Sequence, residues 1–63
     1  MKRVTYLRVL RLAKGLTLAD LADTVGVYPE HLRLVEVGET NAGKGLAQRL
    51  ARVLGVPMEV LFE

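Results

Sequence analysis

The stretch that most constrains this chain is residues 17–38, TLADLADTVGVYPEHLRLVEVG. It predicts two short helices broken at Gly26, the second ending at Gly38. The apolar residues Leu21, Val25, Val27, Leu32 and Val35 hold the pair together on one side. Ala22 and Gly26 are small at the places where two helices must approach closely. Thr17 stands where an N-cap belongs, with Asp20 three residues on in the reciprocal position of a capping box. Pro29 falls in the first turn of the second helix, where its missing N–H costs nothing. A pair of helices this short buries little on its own, so the remaining residues must supply the rest of a core.

The chain has 63 residues, enough for one domain (1–63) with a minimal core. A chain of that size buries only about 60% of the surface it exposes when unfolded. An apolar fraction of 51% is generous for the length and makes independent folding plausible without staples. None are available, because the sequence has no cysteine and therefore neither disulfides nor a thiolate metal site. His31 is the single histidine and makes no metal site by itself, so no cofactor or metal is expected. The opening MKRVTYLRVLRLAKG mixes basic and apolar residues, but charge recurs at Arg8, Arg11 and Lys14, so it lacks the apolar run of an export signal. No stretch approaches the roughly 18–20 apolar residues of a membrane span. These features predict a cytoplasmic protein with no membrane partner. The net charge of +2 suits a polyanionic partner only modestly.

The organisation along the chain is all helical. A first helix is predicted over about 2–14, with Val4, Leu7 and Leu10 on one face and Gly15 as its C-terminal stop. The second runs from the Thr17 cap to about 24, and the third spans 28–37. A polar loop, ETNAGKG, covers 39–45. A fourth helix follows over about 44–54, with Leu46, Ala47, Leu50, Ala51 and Leu54 on one face and Gly55 ending it. Pro57 opens a last short helix that returns Leu61 to the core, giving five helices and no strand. Enzymatic chemistry has little to work with: there is no serine or cysteine, and Gly43-Lys44-Gly45 is too short for a phosphate-cradling loop. The expectation is therefore a protein that is not an enzyme.

Over nearly its full length the chain resembles the phage repressor and Cro type (XRE-like) of helix-turn-helix domain. The matching residues are Leu7, Leu10-Arg11, Lys14-Gly15-Leu16-Thr17, Leu21-Ala22, Val25-Gly26-Val27, Glu36, Gly38, Leu50-Ala51, Leu54-Gly55-Val56 and Leu61. The resemblance implies an all-α, five-helix, lambda-repressor-like fold with its helix-turn-helix at 17–37. It also implies a partly buried ion pair between Arg11 and Glu36, and a sequence-specific transcriptional regulator that binds double-stranded DNA through the major groove.

By position in that family, the third helix is the DNA reader, and Tyr28, Pro29, Glu30, Arg33 and Leu34 face outward on it. Arg33 is the best base reader, since its planar fork takes guanine O6 and N7 together. Glu30 is able to accept from a cytosine amino group, and Leu34 to pack on a thymine methyl. Phosphates are left to the N-terminus of the second helix at Thr17 and Leu18, to Asn41 and to Lys44. The chain departs from the family where Leu18 replaces a frequent glutamine and where Glu39 and Thr40 replace frequent basic residues. The apolar set Leu18, Tyr28, Leu34 and Val37 suits a protein partner, such as a component of the transcription machinery or a toxin, as an alternative use of the same fold. Val60 and Phe62 flank Leu61, and only one of the three fits so small a core. The other two are expected to meet a second copy in a homodimer.

Overall fold

The computed structural model describes residues 5–62. Four α-helices, α1 (Tyr6–Ala13), α2 (Leu18–Val25), α3 (Pro29–Glu36) and α4 (Lys44–Leu54), are followed by a 3-10 turn at Met58–Val60. The first helix is shorter than the apolar spacing predicts. Thr5 is extended (φ −75°, ψ 159°) and forms the N-cap, so α1 starts at Tyr6. The predicted helical residues 2–4, and with them the expected inward face of Val4, lie outside the described residues. The fifth helix is a single 3-10 turn, because three residues between Pro57 and Leu61 leave no room for an α-helical ladder.

Each boundary has a local cause. Thr17 accepts from the Asp20 amide at 3.0 Å, and the Asp20 carboxylate accepts from the Thr17 amide at 3.3 Å, a complete capping box for α2. Gly26 ends α2 in the left-handed region (φ 79°, ψ 33°), and the chain re-enters a helix after Tyr28, with Pro29 in the first turn. A Cβ placed on Gly26 would meet no atom within 4 Å. Its small size therefore does not serve the close approach that the sequence suggests; the backbone conformation is what requires glycine there. Ala22, fully buried on α2, is the residue whose size matters for packing.

The core draws one fully buried leucine from every segment: Leu7 of α1, Leu21 of α2, Leu32 of α3, Leu50 of α4 and Leu61 after the 3-10 turn. Burying a leucine side chain is worth roughly 1.5–3 kcal/mol, so these five residues are the main apolar contribution to holding the segments together. Val25, Val35, Leu46, Ala47 and Leu54 complete the layer. The Leu7 amide donates to the Leu61 carbonyl at 2.8 Å, which ties the end of the chain to the first turn of α1. Arg49 of α4 donates from Nε to the Val25 carbonyl at 3.0 Å and so satisfies the C-terminal end of α2.

One polar cluster is sealed inside this shell. Arg11 and Glu36 are almost fully buried, and Nε and Nη2 of Arg11 reach the two Glu36 carboxylate oxygens at 2.6 and 3.1 Å. Nη1 of Arg11 donates to the Leu16 carbonyl at 2.7 Å. The Glu36 carbonyl in turn accepts from the Thr5 hydroxyl at 2.9 Å and the Thr5 amide at 3.2 Å. Among the described residues no buried side-chain nitrogen or oxygen lacks a partner. The cluster therefore fastens the C-terminal end of α3 to both ends of α1 and to the loop before α2.

Removing one member of such a pair strands the other charge, at a cost of about 3–5 kcal/mol. A domain of this length has a total stability of only about 3–9 kcal/mol. Arg11→Ala is expected to lower the melting temperature by more than about 10 °C or to leave the chain largely unfolded. Arg11→Met combined with Glu36→Leu, which leaves no orphaned charge, should recover much of that loss. A thermal melt by circular dichroism checks both, and a shift of only a degree or two for Arg11→Ala would show that the pair is not a structural lock.

Candidate nucleic-acid interface

The outward surface of α2 and α3 follows from what the core has already taken. Leu32, Val35 and Glu36 turn α3 inward, so the opposite side of that helix carries Glu30 and Arg33 into solvent. Tyr28, the N-cap residue of α3, is 84% exposed. It lines an open cleft at the elbow between the two helices together with Ala19, Asp23, Val27 and Pro29.

The residues singled out in the sequence distribute as follows. Thr17, Tyr28, Pro29, Glu30, Arg33, Asn41 and Lys44 are exposed. Leu18 and Leu34 are half-buried, and Leu18 packs against the core, so only part of its side chain faces outward. Thr17 lends its hydroxyl to the α2 cap. Lys44 is the first residue of α4, at the end of the loop that follows α3. Val37 is half-buried, as is His31. Among the described residues, no three His, Asp or Glu side chains come together to hold a metal ion, and no helix is long and apolar enough to cross a membrane.

The sequence reading treats Arg33 and Glu30 as separate contacts. In the structure they form one unit. Nε of Arg33 donates to Oε1 of Glu30 at 3.0 Å, and Nη2 donates to Oε2 at 2.6 Å. The spacing of three residues on a helix brings the two side chains side by side. The hydrogen bonds from Arg33, then its charge, hold the Glu30 carboxyl below the ordinary glutamate range. Arg33 is raised in turn, by those hydrogen bonds first, by the Glu30 charge next and by the Glu39 charge to a smaller degree. The outer face of α3 therefore offers a planar, partly neutralised guanidinium, not a free positive charge. The i,i+3 spacing of the two residues was the sequence signal for this pairing.

Residues 7–61 match the family described as helix-turn-helix. The chain belongs to the helix-turn-helix family. It is 38% identical over 58 residues to an uncharacterised HTH-type transcriptional regulator of Archaeoglobus fulgidus, a match covering 92% of this chain and 83% of the relative. In this chain α3 is the second helix of that motif. The buried Glu36 at its end and the Gly26 turn before its start fix its orientation relative to α1 and α2.

Proposed function

We propose that this protein is a sequence-specific DNA-binding transcriptional regulator of the small Cro and repressor type, acting in the cytoplasm without catalytic activity through the helix-turn-helix domain of residues 1–63. The observation that carries the reading is the outward placement of Arg33 on a second motif helix braced at both ends, within a family one of whose relatives is named a transcriptional regulator. Arg33 donates to guanine in the major groove. Tyr28, Pro29, Glu30 and Leu34 face the same groove, and Thr17, Leu18, Asn41 and Lys44 approach the flanking phosphates. Phosphate contacts of this kind supply most of the sequence-independent affinity.

The active form is a homodimer on a two-fold symmetric site. Half-buried Val60 and the 41% exposed Phe62 lie in the segment that the Leu7–Leu61 hydrogen bond holds beside the first turn of α1. That turn exposes Tyr6 and, one turn on, Val9. An apolar surface there supports a second copy as its cover.

A second reading is favoured by one specific observation: the most exposed large apolar residue on the α2–α3 surface is Tyr28, and the cation nearest to it in sequence on α3 is paired with a carboxylate. In that reading Leu18, Tyr28, Leu34 and Val37 dock on a protein partner.

Selection from random duplex DNA near 0.1 M salt, where screening spans about 10 Å, separates the two. The DNA reading predicts an enriched motif. Arg33→Ala should relax preference at one base position and weaken binding to the preferred site by about 1–3 kcal/mol, roughly five- to 150-fold. Lys44→Ala should weaken binding to all sequences and lower the salt slope by about one. Weak, salt-sensitive binding with no enrichment would sink the DNA reading. In the docking reading Leu34→Asp and Tyr28→Ala abolish a complex that Lys44→Ala leaves intact.

The dimer has its own test. Phe62→Glu should convert a dimer into a folded monomer in sedimentation at micromolar concentration. A parent that already sediments as a monomer there removes the dimer and, with it, the two-fold site.

A further inference from the structure

We infer that Glu30 sets the base specificity of α3 through Arg33, as a positioning residue that touches no base itself. The inference rests on the DNA-binding reading above and assigns a part of it that exposure alone does not. A guanidinium has two edges that present parallel N–H pairs. Glu30 takes the side edge, formed by Nε and Nη2, with both of its carboxylate oxygens. What remains is the end edge, with one N–H on Nη1 and one on Nη2, a second parallel pair that fits guanine O6 and N7 together.

Two physical consequences follow. The first is orientation: a free arginine on an exposed helix samples many rotamers, and fixing the fork beforehand reduces what is lost when it binds. The second is charge. An arginine paired with a carboxylate attracts phosphate less than a free one does, so Arg33 contributes little to binding at wrong sites. Specificity is the difference between right-site and wrong-site affinity, and Glu30 widens it from both sides. The charge of Glu39, which also acts on Arg33, adds to the second effect. Both members of the pair are well exposed, with 47% and 69% of the Arg33 and Glu30 side chains open to solvent, so substitutions there leave the core untouched.

The test measures dissociation constants for the selected duplex, for single-base variants of it and for random duplex, using the intact chain. Glu30→Gln removes the charge. Glu30→Asp keeps the charge but shortens the side chain by one methylene, so that its carboxylate no longer reaches the side edge of the guanidinium in the same geometry. The parent should discriminate the Arg33 base pair by about ten- to a hundredfold. Both variants should reduce that ratio several-fold at the same base pair, and only Glu30→Gln should also raise affinity for random duplex. In an Arg33→Ala background neither change should alter discrimination further. Discrimination that survives both substitutions overturns the inference, and so does a loss confined to a different base pair, which would make Glu30 a base reader in its own right. Both of those outcomes leave the DNA reading standing. A parent that enriches no motif overturns that reading, and the inference with it.

Discussion

The ion pair between Arg11 and Glu36 is the constraint on which the rest of this small structure depends. Three of the Arg11 nitrogens are spent on three acceptors, two on the end of α3 and one on the loop before α2. A buried pair is weak evidence for net stability, because desolvation offsets much of the attraction. Its effect here is geometric. The apolar layer of leucines would tolerate small rotations of α3 about its own axis, whereas a guanidinium bonded through two nitrogens to a carboxylate does not. The Thr5 hydroxyl and amide on the Glu36 carbonyl remove the remaining freedom at that end. The exposed side of α3 is consequently held in register with α2, and any ligand meets a surface whose orientation is set in the core.

Much of this was legible in the residues. The Thr17–Asp20 box, the left-handed Gly26 and the proline after it each act within a few residues, and local causes of that kind are readable from a string. So is the α4 span, where an apolar face ends at a glycine with no competing signal. The start of α1 was not legible, because apolar spacing continues through Val4 while the N-cap at Thr5 is set by its bonds to Glu36, thirty-one positions away. The cap that Arg49 places on Val25 was hidden for the same reason, its acceptor being a backbone carbonyl twenty-four positions distant. Gly26 shows a subtler failure: the residue was recognised, but its cause is a backbone angle and not a close contact.

The candidate interface divides along the same line. Exposure of Tyr28, Pro29, Glu30 and Arg33 follows from the inward turn of Leu32, Val35 and Glu36, and helical periodicity delivers it. The half-burial of Leu18 does not follow from periodicity, since a residue in the first turn of α2 packs or not according to where its neighbours lie. The pairing of Glu30 with Arg33 follows from their i,i+3 spacing alone, whereas its consequence for which guanidinium edge stays free needs the three-dimensional arrangement. The result is a candidate surface of low net charge: apolar at the elbow, with one oriented guanidinium and Lys44 at the next helix start. Such a surface favours hydrogen-bond complementarity over general attraction to a polyanion.

Whether α3 enters the major groove is the central question. Methylation interference on the selected duplex addresses it directly, since guanine N7 lies in the major groove and adenine N3 in the minor groove. If α3 enters the major groove with Arg33 at a guanine, N7 methylation of that guanine blocks binding and N3 methylation of adenines in the neighbouring base pairs does not. Binding indifferent to N7 methylation at every guanine, or blocked only from the minor groove, would contradict it.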